Sequence, residues 1–98
     1  MDIKKTKNGN QLTVALTGRL DTTTAPELEE ALKDALSGTQ ELIFDFANLE
    51  YVSSAGLRVL LATQKTMNEQ GKMFVENVCS DIMEVFQITG FIDILTVR

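Results

Sequence analysis

Two adjacent serines, Ser53 and Ser54, stand between a polar stretch and an apolar run, and both offer a hydroxyl for chemistry. Such a hydroxyl can attack a substrate when a base removes its proton, or it can itself receive a phosphate. The first role needs a partner. The chain has no histidine, so neither a Ser-His-Asp nor a Cys-His arrangement can form within it. No Gly-x-Ser-x-Gly elbow surrounds either serine, and no lysine lies near them in sequence. A Gly-x-x-x-x-Gly-Lys phosphate loop is absent. With Cys79 as the single cysteine, the donor set of a structural zinc site is missing. No acidic loop has calcium-binding spacing. The expectation is a protein that is not an enzyme and that carries no cofactor and no metal.

The second role suits the local sequence. Asp45 to Leu49 leads through Glu50, Tyr51 and Val52 to the two serines, and Ala55-Gly56-Leu57-Arg58 follows. A helix start presents unpaired N–H groups and a partial positive charge. Serine is a preferred N-cap, and either Ser53 or Ser54 can take that position. Neither has Glu or Gln three residues later, so no reciprocal capping box forms and the second serine is left without a capping role. A phosphoserine carries roughly −1.5 to −2 charge, which a helix N-terminus tolerates well. Gly56 costs a helix roughly 1 kcal/mol against Ala, so its place in the first turn implies close backbone approach. Arg58, one turn after Ser54, is either a partner for a phosphate or an ordinary solvated residue.

The elements that must position these residues follow from periodicity. Leu12, Val14 and Leu16 alternate with Thr13, Ala15 and Thr17, a strand with one buried face. Ile3 to Lys7 pairs with it across Asn8-Gly9-Asn10, giving a hairpin over residues 2 to 17. Thr24-Ala25-Pro26-Glu27 has the capping-box pattern, and the spacing that follows predicts a helix over about 25–37. Leu42 to Phe46 reads as a buried strand, residues 55–70 as a second helix stopped by Gly71, and Met73 to Val78 as a strand. Asp81 and Glu84 open a third helix closed by Gly90. Ile92, Ile94, Leu95 and Val97 suggest a last strand or extended edge. The order β-β-α-β-α-β-α-β predicts one small α/β domain over residues 1–98. Its sheet is mixed, with an N-terminal hairpin and right-handed parallel crossovers.

Charge and composition narrow the partners. The chain holds 9 basic and 14 acidic residues, for a net charge of −5. That argues against nucleic acid and against anionic membrane surfaces, and suits a protein partner with a basic patch. No apolar run reaches the roughly 20 residues of a membrane span. The start, Met1-Asp2-Ile3-Lys4-Lys5, lacks a signal-peptide core. A lone cysteine fits a reducing compartment, so the expected location is the cytoplasm. Small size and negative charge suit a monomer. Cys79 reads as a small structural residue.

The ordered set of motifs resembles the anti-sigma factor antagonists, the bacterial STAS-domain family. The resemblance rests on Gly18-Arg19-Leu20-Asp21 with Thr24-Ala25, on Asp45 to Leu49, and on Tyr51-Val52-Ser53-Ser54-Ala55-Gly56-Leu57. Phe86-Gln87-Ile88-Thr89-Gly90-Phe91 adds to it. The family pattern at the switch is Asp-Ser-Ser/Thr-Gly-Leu, with the first serine phosphorylated. In register with Gly56-Leu57, that serine is Ser54. Ser53 then stands where the family has Asp, as a competing acceptor, and Ala55 stands where it has Ser or Thr.

The resemblance implies a partner-switching cycle. The unphosphorylated protein binds an anti-sigma factor that is also a serine kinase, and so frees a sigma factor. Phosphorylation of Ser54 ends binding, and a serine phosphatase resets it. Asp21 matches a position in the loop facing the switch serine, or is a turn-forming Asp. Thr22, beside Asp21, carries the same ambiguity. The expected partner surface is Asp21, Thr22, Ser53, Ser54, Gly56, Leu57 and Arg58. A STAS adaptor that works without phosphorylation is the alternative.

Overall fold

Alternating burial along β2 (Gln11–Leu20) sets the architecture. Leu12, Val14, Leu16 and Leu20 are buried while the residues between them stay partly exposed. The computed structural model describes residues Met1–Arg98. β1 (Asp2–Asn8) pairs antiparallel with β2 through the turn at Gly9. β3 (Glu41–Val52) and β4 (Lys72–Glu76) follow in parallel, giving a four-stranded sheet of order β1-β2-β3-β4. α1 (Ala25–Lys33) connects β2 to β3, and α2 (Ser54–Gln70) connects β3 to β4. Both crossovers step the sheet in the same direction, so right-handed connections put both helices on one face. α3 (Ser80–Thr89) follows β4. Beneath the helices, 21 buried side chains form one cluster, with Phe44, Phe46 and Phe86 fully enclosed.

Four expectations are corrected. First, the stretch read as a polar connection after Phe46 is strand, because β3 runs to Val52. Its register against β2 slips twice, between Ala15 and Thr17 and between Gly18 and Arg19. Each slip sets one more residue of β3 against β2. The buried residues then fall at Phe46, Leu49 and Val52, a spacing that hides the strand from a period-2 reading. The Asp45 side chain accepts from Ala47 N–H at 3.0 Å and from Asn77 Nδ2 at 3.0 Å, tying the bend down.

Second, α1 ends at Lys33 rather than near residue 37. Tight turns follow it, with Ser37 N–H donating to Asp34 O at 3.3 Å and Thr39 N–H to Leu36 O at 3.0 Å. Third, the capping box at Thr24 does not form, since Thr24 makes no side-chain cap bond. Asp21 replaces it, as described below. Fourth, the expected last strand reduces to one parallel bridge, Val75 to Val97. Residues Phe91–Asp93 form a 3-10 turn instead, and Leu95 turns into the core, so the apolar run is spent on a turn and a buried anchor rather than on a ladder.

Gly71 ends α2 for want of space. A Cβ there would sit 1.8 Å from the Gln40 carbonyl oxygen, so only glycine lets β4 start this close to β3. Gln70 Nε2 donates to Leu36 O at 2.6 Å and Thr39 O at 2.7 Å, joining the end of α2 to the turns that follow α1.

Candidate functional site at the strand ends beside helix α2

β2 and β3 end together, with Leu20 opposite Val52. Ser53 is the whole connection from β3 into α2. Its N–H donates to Leu20 O at 2.8 Å. Its backbone is extended, with φ −90° and ψ 175°, and its Oγ accepts from Gly56 N–H at 3.3 Å. Ser53 is therefore the N-cap. Ser54 is the first helical residue, it is exposed, and its hydroxyl makes no hydrogen bond within the chain. The two serines left open by sequence thus separate into a cap and a free hydroxyl.

Gly56 and Leu57, expected among the partner contacts, are buried within the chain. Leu57 is 6% exposed and sits in the core. A Cβ on Gly56 would lie 2.7 Å from Leu20 Cγ and 3.0 Å from Leu20 O. The close approach implied by Gly56 is thus between α2 and β2. These two residues seat the helix start; they do not present it.

Asp21 opens α1 as an Asx turn. Its Oδ1 accepts from Thr23 N–H at 3.0 Å and from Thr24 N–H at 3.1 Å, and Ala25 N–H donates to Asp21 O at 2.8 Å. Thr24 Oγ1 accepts from Asp21 N–H at 2.8 Å and donates to Arg19 O at 2.7 Å. The Thr24 amide first of all, then the Thr23 amide, the Thr24 hydroxyl and Arg19, hold the Asp21 carboxyl below its ordinary value of 3.8, and desolvation opposes them only in part. Asp21 is therefore a fixed negative charge at neutral pH.

Two residues without a role in the sequence reading complete the rim. The Arg19 guanidinium lies 4.3 Å from the centre of the Tyr51 ring, and its Nε is 3.8 Å from Asp21 Oδ2. Tyr51 is 40% exposed. The second β3 slip sets Tyr51, not Glu50, opposite Arg19. No periodic signal marks that pairing, although both residues lie within the motifs that carry the family resemblance. Thr22 and Arg58 are exposed and line one end of a groove of about 380 Å³ between α1 and α2.

Ser54 has no base in contact, and no three metal-ligating side chains converge anywhere in the chain. No helix is long and apolar enough to cross a membrane.

Known proteins share both the sequence and the architecture. The STAS domain family model matches residues 2–98. The anti-sigma-B factor antagonist of Staphylococcus aureus is 32% identical over 100 residues, covering 100% of this chain and 93% of that protein. The structure of an anti-sigma factor antagonist from Mycobacterium paratuberculosis aligns with a TM-score of 0.89 at 21% identity, over 99% of this chain and 84% of that one. The Bacillus cell fate determinant SpoIIAA in its phosphorylated form aligns with a TM-score of 0.77 at 17% identity, over 99% and 91%. At these identities the two structures speak for the fold.

Proposed function

This chain belongs to the STAS domain family, and on that footing we propose that it works in the cytoplasm as an anti-sigma factor antagonist switched at Ser54. The unphosphorylated form binds an anti-sigma factor serine kinase and so releases a sigma factor. The kinase moves the γ-phosphoryl group of ATP to Ser54 Oγ, with ADP and the hydroxyl proton leaving, and binding ends. A serine phosphatase restores the hydroxyl. ATP and its magnesium belong to the kinase, and Ser54 is a substrate residue.

One observation carries the choice of serine. Ser53 Oγ accepts from the Gly56 amide while Ser54 Oγ is exposed and unengaged. A phosphate on Ser53 would disturb the cap; on Ser54 it enters solvent. The family's usual Asp at position 53 is itself a good N-cap, so Ser53 keeps the structural part of that role. The physics of release is local. A neutral hydroxyl is readily buried at an interface once hydrogen-bonded, whereas a phosphate dianion without a matching cation is costly to bury. The chain's net charge of −5 adds long-range attraction toward a basic partner surface.

Co-purification from the native cell, followed by phosphosite mapping, tests the reading. The expected result is a kinase partner and phosphate on Ser54. Ser54→Ala should hold the partner persistently, and Ser54→Asp should bind it poorly. Phosphate on Ser53 alone would overturn the assignment. Equal binding by the two variants would favour the phosphorylation-independent adaptor, for which the missing Asp before Ser54 is the supporting feature.

A further inference from the structure

The three arginines of the chain are not equivalent. Arg19 faces Asp21 Oδ2 at 3.8 Å and the Tyr51 ring at 4.3 Å. Arg98 faces Glu76 Oε2 at 2.7 Å and the Phe74 ring at 3.7 Å. Arg58 has neither a carboxylate within ion-pair distance nor an aromatic ring beneath it, although Glu29 of α1 lines the same groove. Its guanidinium is exposed. Four positions separate it from Ser54, so the two side chains share one face of α2, with Cβ atoms about 5–6 Å apart.

The charged groups near the start of α2 are unequally committed. Asp21, held ionised by its amide partners, lies on the β2 side of the helix start. Glu29 lies across the groove on α1. Arg19, the other cation of this rim, is engaged by Asp21 and Tyr51. A phosphate on Ser54 has the free guanidinium one turn away on the same helix face, and a guanidinium forms paired hydrogen bonds to phosphate oxygens.

We propose that, once Ser54 is phosphorylated, Arg58 holds the phosphate across one turn of α2 and is thereby withdrawn from the surface offered to the kinase. This rests on Ser54 being the phosphate acceptor. Phosphorylation then changes two features of the partner surface together. A neutral hydroxyl becomes an anion, and the one uncommitted guanidinium acquires an internal counter-ion.

The test needs no kinase. The full chain is made with phosphoserine encoded at position 54, in the wild-type background and as Arg58→Gln, Arg58→Lys and Glu29→Gln. The phosphate is titrated by phosphorus NMR at low and high salt. An ordinary phosphoserine has a second pKa of about 6. With Arg58 present it should lie about half a unit below that of Arg58→Gln. Lysine should restore part of the difference, Glu29→Gln should lower the value further, and high salt should shrink the gap. Equal values for wild type and Arg58→Gln at low salt, with both amide spectra native-like, overturn the proposal. Phosphosite mapping of the chain from its own cell reads the Ser54 assignment separately, so the two ideas fail independently.

Discussion

Asp21 is the residue at which charge and local geometry are most closely tied. Two backbone amides converge on its Oδ1, and they favour the ionised form. The folded-state pKa lies below the ordinary 3.8, so the unfolded chain binds the proton more readily. The resulting stabilisation is full above the unfolded value and fades as pH falls through 3.8 toward the lower folded value. Asp21→Asn keeps an acceptor oxygen at the turn and removes the charge. Unfolding free energies of both proteins from about pH 2 to 7 should show the wild type ahead at neutrality, with the gap closing below the ordinary carboxylate range. A gap that does not vary with pH would assign the role of Asp21 to turn geometry alone. Sequence named Asp21 and Ser54, because their residue types suit a turn and a helix start. It left the cap open between Ser53 and Ser54, since N-cap preference alone does not distinguish neighbours. Arg19 and Tyr51 went without a role because their contact depends on a strand slip.

The joint between β2 and α2 is where packing overrides helix propensity. Alanine at position 56 would favour the helix by about 1 kcal/mol. Its Cβ, however, would lie 2.7 Å from Leu20 Cγ and 3.0 Å from the Leu20 carbonyl. The side chain can yield; the carbonyl, which already accepts from Ser53 N–H, cannot move without disturbing the entry to the helix. Gly56→Ala should therefore cost a net ~1–3 kcal/mol in urea unfolding. In a Leu20→Ala background the cost of Gly56→Ala should fall, and an unchanged cost would place the clash elsewhere. The β-hairpin and the second and third helices were legible because their apolar spacing is regular. The end of β3 was not, because two register slips break the alternation that identifies a strand. The Thr24 capping box looked sound by residue type, but Asp21 satisfies the same amide from upstream.

Across the whole molecule, the sheet closes at its β4 side with a strap in place of a full strand. Val75 N–H donates to Thr96 O at 2.9 Å, and Arg98 N–H donates to Val75 O at 3.0 Å. The Arg98 side chain pairs with Glu76 and stacks over Phe74. A β4 edge left bare is a template for pairing with another chain. Arg98→Ala should cost about 1 kcal/mol or less, since the pair is half exposed. Its clearer sign should be faster hydrogen exchange at Val75, while exchange within α2 stays as in the wild type. Uniform acceleration across the core would instead mean that the strap supports the entire fold. The apolar residues after Gly90 signalled that this segment is anchored. They did not signal how, because a 3-10 turn at Phe91–Asp93 and a buried Leu95 use the same apolar residues that a strand would.

The single-residue link between β3 and α2 has a consequence in time. With Ser53 bonded to Leu20 on one side and to Gly56 on the other, the start of the helix has no slack. Whatever is attached at Ser54 has nowhere to retreat, and no hinge must turn before the change is felt. Under the proposed function, a phosphate on Ser54 would change the surface in the same instant as it is attached, and the change would last as long as that bond. On that reading a reporter attached far along α2 should register nothing. The partner that reads such a change would then have to touch the strand ends.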